Sequence, residues 1–407
     1  MPSALVYFCR YNARVRSKKV SISDVARHCG VAVSTVSYVI NGNRPISKET
    51  RARVLDTAKK LGYVPKNRII AQQLGLLDSS SSKLTKVIAL SSPVHRYTDY
   101  TNYAVFFFAL AQHARRYGYD ILLLMHESGD AEMYRVVENN MVDGILLLDV
   151  LLSDSRAEIA KNLPVPVVAV GYPNNTENIW AVDLDFEQLG RDSVIKVHEL
   201  GHTHALILGG VDSAFEDGSN YLVRYRDAAE KCGADLGVHV SFESLSGYSK
   251  TEIEHSLDLG LARDPQISAI FWQGSTAGAG MLMDILHQRS IGVPADMSVI
   301  SACTNGASRL PQPIDEFPMD PAAACKRAVD VLMEVLQHQR DDVGSVELIH
   351  GEYMPMGTLG SVPLENVRYK PIEIYRNYIA LLALFSVLYY YMIVRLEDED
   401  EKTIRTT

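Results

Sequence analysis

The sequence predicts an α/β fold in which a small all-α head is joined to a two-lobed α/β body, with an extra apolar helix at the C-terminus. Three observations support this prediction. Three short helices are predicted over residues 20–62, apolar runs alternate with helical stretches over residues 86–362, and an almost purely apolar stretch occupies residues 378–394. A chain of 407 residues with 47% hydrophobic side chains can bury a large core and divides into more than one domain.

The charge of the chain is divided between a basic head and an acidic body. The formal net charge is −9, but residues 1–78 hold 14 Lys and Arg against four Asp and Glu, so this segment carries +10 and the remainder carries −19. Lys and Arg gain free energy by displacing counterions from phosphates, so the head favours a polyanionic partner. The alternative is a basic face that serves solubility alone.

The N-terminus and the cysteines give weaker information. A six-residue apolar run, Ala4–Cys9, precedes the first basic residues, which is the wrong order for a signal peptide. We therefore expect residues 1–19 to be a disordered basic arm, or to be included in the sequence because the start codon was assigned wrongly. The five cysteines include no Cys-x-x-Cys pair, which favours neither a disulfide framework nor zinc and fits a cytoplasmic protein.

Local capping signals place two of the three helices in residues 20–65. The first helix begins at Ser21, which has the capping-box spacing to Asp24. The last begins at Ser47 and ends at Gly62, because glycine favours the backbone that terminates a helix.

The helix between them is amphipathic in an unusual way, because its outward face is polar but uncharged. At 100° per residue, Val36, Val39 and Ile40 share one face. The opposite face is polar and holds Ser34, Thr35, Ser37, Tyr38 and Asn41.

The body begins after the linker DSSSS (Asp78–Ser82), so residues 66–85 are predicted to be a hinge helix and linker. Seven apolar runs in the body are predicted strands: KVIALSS, YDILLLM, GILLL, PVVAVG, HALILGG, AIFWQG and MSVISAC. Predicted helices, for example Phe106–Tyr117, Leu189–Leu200 and Tyr221–Cys232, separate several of them. Apolar strands alternating with helices indicate parallel sheets covered on both faces, and this length favours two lobes.

These residues resemble a known family. Residues 20–65 closely resemble the DNA-binding head of LacI/GalR-type bacterial transcriptional regulators, through DVA at 24–26, GV at 30–31, TVS at 35–37, Asn41, TR at 50–51 and LGY-x-P at 61–65. The body resembles the family's periplasmic-binding-protein-like effector domain, through RRYGYDILLL, VDGILLL, PVPVVAVG, ELGHTHALILGG and SIGVPADMSVIS. The resemblance covers roughly residues 20–360 and implies that residues 86–362 bind an effector and dimerise.

The resemblance implies that the second helix is a recognition helix, which a helix-turn-helix places in the major groove. Hydroxyl and amide groups can contact bases or phosphates there. The residues expected to contact DNA are Ser21, Val33, Ser34, Thr35, Ser37, Tyr38, Asn41, Arg51, Tyr63, Asn67, Arg68, Ala71 and Leu74. Leu74 of the AQQL segment is the expected wedge into the minor groove. Leu76 is its rival, because the segment lies two residues further from Pro65 than the family pattern expects.

The head departs from the family pattern at two positions. Ala32 stands where the family usually has a Ser that caps the recognition helix, which costs about 1 kcal/mol of capping. Tyr38 stands where the family often has Arg. Arg reads guanine with two hydrogen bonds, whereas Tyr offers one hydroxyl and a ring edge suited to a thymine methyl. We therefore expect little guanine preference at that position of the half-site.

The resemblance also implies a sugar-type effector between the lobes, held by an Arg, an Asn/Asp pair and a later Asp. These positions fall on Tyr221, on Gly274 and Ser275, and on Cys303, so none of the family's side chains is retained. Arg224, Trp272 and Gln273 are candidate replacements, with a solvated arginine and a packed tryptophan as the alternatives. The expected effector is a small molecule, a sugar or a derivative or a different compound, or the protein responds to none.

No pattern in the chain predicts catalysis, a cofactor or a metal site. GSTAGAG (Gly274–Gly280) is glycine-rich but lacks the Lys-Ser/Thr of a phosphate loop. GHTH (Gly201–His204) precedes a strand with no third ligand nearby.

The C-terminal extension, residues 363–407, lies outside the resemblance. Its apolar stretch Tyr378–Val394 is 17 residues long, near the lower limit for crossing a bilayer, and tyrosines lie near its ends. It predicts a membrane tether, a packed or dimer-forming helix, or a tail from a reading-frame accident.

Taken together, the sequence predicts a cytoplasmic, nucleoid-associated homodimer that binds a near-palindromic double-stranded operator and represses carbohydrate-utilisation genes under the control of an effector. The alternative is a ligand-binding protein, similar to sugar-binding proteins, with no DNA-dependent role. The basic head favours the regulator over this alternative.

Overall fold

The chain folds into a helical head and a body of two α/β lobes. The computed structural model describes residues 20–41, 46–63, 65, 74, 84–95, 100–126 and 129–362. The apolar stretch 378–394, most of the predicted hinge and the N-terminal arm lie outside these residues. Within the described residues, no helix combines the length and the apolar character needed to cross a bilayer.

The head consists of three helices around a small apolar core. They are α1 (Ile22–Cys29), α2 (Val33–Asn41) and α3 (Lys48–Leu61). The predicted caps are confirmed: Ser21 and Asp24 form a capping box, Ser47 caps α3, and Gly62 ends it in a left-handed conformation (φ 69°). The core draws on all three helices and includes Val25, Val36, Val39, Val54 and Ala58.

The N-terminal lobe is a six-stranded parallel sheet with helices on both faces. Its strands are β1 (Val87–Pro93), β2 (Asp120–His126), β3 (Gly144–Leu147), β4 (Val167–Val170), β5 (Trp180–Leu184) and β11 (Val346–Ile349). Their order across the sheet is β11-β5-β4-β3-β1-β2. Its helices are α4 (Tyr100–Arg116), α5 (Asp130–Glu138), α6 (Ser155–Ile159) and α12 (Pro321–Leu336).

The C-terminal lobe is a five-stranded parallel sheet of the same kind. Its strands are β6 (His204–Val211), β7 (His239–Leu245), β8 (Ala269–Gln273), β9 (Ser298–Thr304) and β10 (Asp315–Pro318), in the order β10-β9-β8-β6-β7. Its helices are α7 (Phe186–Glu199), α8 (Asp212–Glu216), α9 (Asn220–Leu236), α10 (Lys250–Arg263) and α11 (Thr276–Gln288). Helices α7 and α9 approach closely at Gly190, where a Cβ would lie 2.4 Å from the carbonyl oxygen of Tyr225.

The chain passes between the lobes three times. It leaves the N-terminal lobe between β5 and α7, returns between β10 and α12, and crosses again after β11. After this last crossing, the backbone of Met354 forms hydrogen bonds with the backbone of Glu316 in β10. The crossings place the carboxyl ends of strands from both sheets around one cleft, which is where open α/β sheets bind ligands.

All seven predicted strands and the two-lobed arrangement are confirmed, but four strands are additional. β5, β7, β10 and β11 were missed because they are short or partly exposed and lack a long apolar run. α4 begins at Tyr100 rather than at the predicted Phe106, because its first turn, YTNY, is polar and gives no apolar signal.

Candidate DNA interface and interlobe cleft

The recognition-helix prediction agrees with the way α2 packs in the head. Val36, Val39 and Ile40 are buried against α1 and α3, whereas Ser34 is exposed and Val33 is 45% exposed. Three further candidates on this helix, Thr35, Ser37 and Tyr38, are half-buried. The helix therefore presents its hydroxyl-bearing side away from the core, as a major-groove probe requires.

The remaining head candidates are distributed around α2. Ser21 is exposed and its hydroxyl is engaged with Asp24 in the capping box, Arg51 is exposed on α3, and Tyr63 is half-buried. Burial raises the pKa of the Tyr63 phenol. The side chain of Asn41 and the residues Asn67, Arg68 and Ala71 lie outside the described part of the chain.

Helix α2 begins without a side-chain cap. The carbonyl oxygen of Ala32 accepts the first helical hydrogen bond, from the backbone N–H of Val36 at 3.3 Å, which places Ala32 at the N-cap position. Alanine has no oxygen to accept from the free N–H groups of the first turn. Helix α2 therefore lacks about 1 kcal/mol of the stabilisation that a side-chain N-cap provides, as the sequence predicts.

Leu74 lies against the head in this structure. Its half-buried side chain packs on the apolar core formed by α1, α2 and α3. To enter a minor groove as predicted, this leucine would have to leave that contact. Its role as a wedge remains a prediction, and its rival Leu76 lies outside the described residues.

The interlobe cleft is built from strand ends and helix starts of both lobes. It encloses about 1030 Å³ of space unoccupied by atoms, part of it open to solvent. The N-terminal lobe contributes Tyr103, Phe106, Asp149, Gly171 and Asp183. The C-terminal lobe contributes Ala214, Asn220, Tyr221, Tyr248, Ser275 and Cys303. This is the position predicted for an effector.

Three of the six predicted effector residues line the cleft. Tyr221 packs its ring against Phe186 with centroids 5.5 Å apart, and the Ser275 hydroxyl accepts the backbone N–H of Gly278 to cap α11. Cys303 has a left-handed backbone (φ 64°), which is uncommon outside glycine, and burial raises its thiol pKa to about 12. This thiol is a packing group rather than a nucleophile at neutral pH.

The structure corrects the expectations for Arg224 and Trp272. Arg224 does not line the cleft; its guanidinium stacks 3.7 Å from the Tyr172 ring and lies 3.2 Å from a carboxylate oxygen of Glu187. Trp272 is fully buried in the core of the C-terminal lobe, and its indole N–H donates to the carbonyl oxygen of Ser275 at 3.0 Å. Its ring is a packing group, the alternative that the sequence left open.

Gln273 is also placed differently from the expectation. Its side chain is completely buried behind the cleft wall, and its amide N–H groups lie 3.5 Å from the carbonyl oxygen of Leu222 and 3.8 Å from the Cys303 sulfur. It supports Cys303 from behind instead of reaching a ligand.

The sequence reasoning missed two buried carboxylates of the cleft. Asp149 follows β3 and Asp183 lies near the end of β5, so both are found at the carboxyl edge of the sheet. That position was the signal that could have identified them. Burial raises the pKa of both carboxyl groups, and that of Asp183 rises to about 7.

Two motifs considered for other chemistry have structural roles. Gly274 and Gly278 leave room for the indole of Trp272, because a Cβ at either position would lie within 2.7 Å of that ring. His202 bonds to Ser268 and to the carbonyl oxygen of Gly360. Across the described residues, no three His, Cys, Asp or Glu side chains are grouped as metal ligands.

Comparison with known proteins gives matches to both parts of the chain. Residues 21–66 match the family described as bacterial regulatory proteins, lacI family, and residues 194–356 match the periplasmic binding protein-like domain. The catabolite control protein A of Priestia megaterium is 28% identical over 304 residues, which are 72% of this chain and 85% of that protein.

Solved structures agree with the fold. The complex of the transcriptional regulator CelR with cellobiose has a TM-score of 0.56 at 20% identity, covering 84% of this chain and all of that one. The dimer of the lac repressor bound to operator and the anti-inducer ONPF gives the same values. At this identity the similarity establishes the arrangement of head and lobes.

Proposed function

We propose that this chain, a LacI-type DNA-binding transcriptional regulator, acts as a homodimeric repressor of carbohydrate-utilisation genes whose operator affinity changes when a small molecule occupies the interlobe cleft. The observation that carries the proposal is α2, which buries its valine side and exposes Ser34 in a head that lies within the basic segment 1–78, of net charge +10. The operators and sugars in the names of similar proteins support it by analogy.

Binding to a labelled near-palindromic DNA fragment tests this proposal. Affinity should fall roughly a thousand-fold between 50 and 200 mM salt if the two heads of the dimer together contact about six phosphates and release that many counterions. Arg51→Ala should reduce the salt slope by about two counterions, one for each head, since Arg51 is exposed on α3.

Lys231→Ala provides the matched control, because this exposed side chain lies on the C-terminal lobe. Its salt slope should equal that of the unmodified chain. Absence of salt-dependent binding to any duplex would favour the alternative, a ligand-binding protein with no DNA-dependent role.

Tyr38 should determine one base of the operator. Binding sites selected from random DNA should show no invariant guanine at the base that Tyr38 reaches. Tyr38→Arg should introduce a guanine preference there of about 1–3 kcal/mol, because the guanidinium donates to both O6 and N7 of guanine. An invariant guanine in the sites of the unmodified chain, lost on Tyr38→Ala, would contradict this specificity.

The proposed dimer has a suitable surface on the N-terminal lobe. Val105 and Phe108 of α4 are 41% and 76% exposed, and Leu123 and Met125 of the edge strand β2 are about as exposed as Val105. Apolar groups on a helix and on the free edge of a sheet would be covered by a second copy. Such a dimer places two recognition helices about one DNA turn apart.

Phe108→Glu should shift the chain from dimer to monomer in sedimentation or light scattering, because the substitution places a charge in an apolar interface. Operator affinity should fall with it, since a monomer loses the second half-site. Leu236→Glu is the matched control, because Leu236 is 37% exposed on the C-terminal lobe. Unchanged assembly of Phe108→Glu, or equal dissociation of both variants, would exclude this surface as the interface.

Membrane attachment through residues 378–394 remains a proposal that the sequence alone carries. Those residues lie outside the described part of the chain, and nothing in the head or the lobes adds support to it.

A further inference from the structure

The interlobe cleft is acidic and aromatic. Among its lining residues that the structure describes, three are aspartates, five are Phe or Tyr, and none is Lys, Arg or His. The side chains of Asp149 and Asp183 are at least nine-tenths buried, whereas Asp320 is exposed and caps α12. The negative charge inside the cleft therefore resides on the two buried carboxylates.

The arginines nearest these carboxylates are already matched by other acids. Arg156 is 2.7 Å from a carboxylate oxygen of Asp154 in a buried pair. Its guanidinium also donates a hydrogen bond to the backbone carbonyl oxygen of Asp149, not to the Asp149 carboxylate. Arg224 pairs with Glu187. Glu187 also lies 3.7 Å from Arg191, which is 3.9 Å from Asp185, so these two arginines and two acids are neutral as a group. Neither Arg156 nor Arg224 therefore balances Asp149 or Asp183 in full.

One carboxylate oxygen of Asp149 has no hydrogen-bond donor among the described residues, although the His95 imidazole lies beside it and would pair with it if protonated. Tyr103 hydrogen-bonds the carboxylate, and the imidazole Nε2 of His95 lies 3.5 Å from Oδ2. Oδ2 is buried and accepts no hydrogen bond from the described residues. A buried acceptor in this condition costs about 1–3 kcal/mol, which a ligand donor would recover.

Asp183 lines the same cleft from strand β5, which is separated in the sheet from β3 by β4. Its oxygens accept from the side-chain amide of Asn220 and the backbone N–H of Leu184, both at 2.9 Å. Both donors are neutral, so an ionised Asp183 has no cation at hydrogen-bonding distance among the described residues. A positive ligand would favour its ionised form.

The aromatic rings complete the chemistry. Phe186 and Tyr221 lie 5.5 Å apart with their planes at 47°, and Tyr103, Phe106 and Tyr248 line other parts of the cleft. Aromatic faces attract cations as well as flat rings, and the attraction grows when water is excluded. Carboxylates and rings together favour a ligand that has both a positive charge and a flat apolar part.

We propose that the cleft binds a small organic cation, a protonated amine carried on a flat ring, with the ammonium group on the side of the cleft lined by Asp149 and Asp183 and the ring against Phe186 and Tyr221. This rests on the proposed role of the cleft as the effector site and names the class of its ligand. Phosphorylated and carboxylated ligands are disfavoured, because they would bring negative charge to buried carboxylates.

Calorimetric titration of the full chain without DNA tests this inference. Tyramine, tyrosol and 4-hydroxyphenylacetate share one ring frame and carry charges of about +1, 0 and −1 at neutral pH. Tyramine should bind about tenfold more tightly than tyrosol, and 4-hydroxyphenylacetate should give no binding heat. Glucosamine, glucose and glucose 6-phosphate provide a cationic, a neutral and an anionic compound on a sugar frame, and tyramine should bind more tightly than glucosamine.

The variants Asp149→Asn and Asp183→Asn should each lose most of the preference for tyramine over tyrosol, because each keeps the side-chain shape and removes a charge. Asp227→Asn, at an exposed carboxylate on α9, should retain it. Equal or tighter binding of an uncharged or anionic compound, no heat with tyramine, or unchanged selectivity in both cleft variants would overturn the inference. Operator binding is measured separately without small molecules, so its outcome distinguishes a wrong ligand class from a wrong function.

Discussion

Asp183→Asn should raise the free energy of unfolding at pH 8. The change caused by the substitution should be roughly 2–3 kcal/mol more favourable at pH 8 than at pH 5. Burial raises the pKa of Asp183 from 3.8 to about 7. Between these two values the folded state retains a proton that the unfolded state has lost. The stability from this group is therefore complete in acid and is lost as the pH rises through about 7.

Chemical denaturation of both chains gives their free energies of unfolding at pH 5 and at pH 8. The change between the two pH values in one chain is then subtracted from the change in the other, which cancels the contribution of other titrating groups. Asp120→Asn is the control, since 71% of that side chain is exposed. A parallel pH dependence in the unmodified chain and in Asp183→Asn would show that Asp183 ionises freely in the folded protein.

Trp272→Ala should lower the free energy of unfolding by about 3–5 kcal/mol, because it empties a fully enclosed space in the core. The neighbouring Gly274 and Gly278 have no side chains that could fill it, and the hydrogen bond to the carbonyl oxygen of Ser275 is lost as well. Since Ser275 caps α11 and lines the cleft, ligand affinity should fall together with stability.

Trp180→Ala is the matched control, because the chain has two tryptophans and this one is half-buried beside the edge strand β11. Its unfolding free energy should change less. Full stability of Trp272→Ala combined with loss of ligand binding would instead support the stacking role first considered for this residue.

The head was predictable because its signals are local. A capping box, a glycine terminus and a 3.6-residue apolar period depend only on neighbours in the chain, and Ser21, Gly62 and Val36 are found in those roles. The apolar runs of the body were equally readable, because a strand buried on both faces must be apolar throughout. Edge strands such as β7, with one face partly open, lack this signal.

The cleft was only partly predictable. Motif order placed Tyr221, Ser275 and Cys303 at its wall, because homologous positions keep their place in the fold even when the side chains change. The same reasoning could not tell whether Trp272 points into the cleft or into the core. That outcome depends on the space left by Gly278 on the following helix, which becomes known only when strand and helix are packed together.

The sequence by itself determined the class of protein, the basic head and the polar face of α2, with Tyr38 as its distinguishing residue, because helical period and charge are properties of consecutive residues. Only the tertiary structure decided the character of the cleft. Asp149 and Asp183 are 34 positions apart in the sequence, and each is an ordinary carboxylate there. Parallel strands that end at one edge bring both to the same cleft and remove water from them, and this burial raises their pKa values and gives the cleft its acidic character.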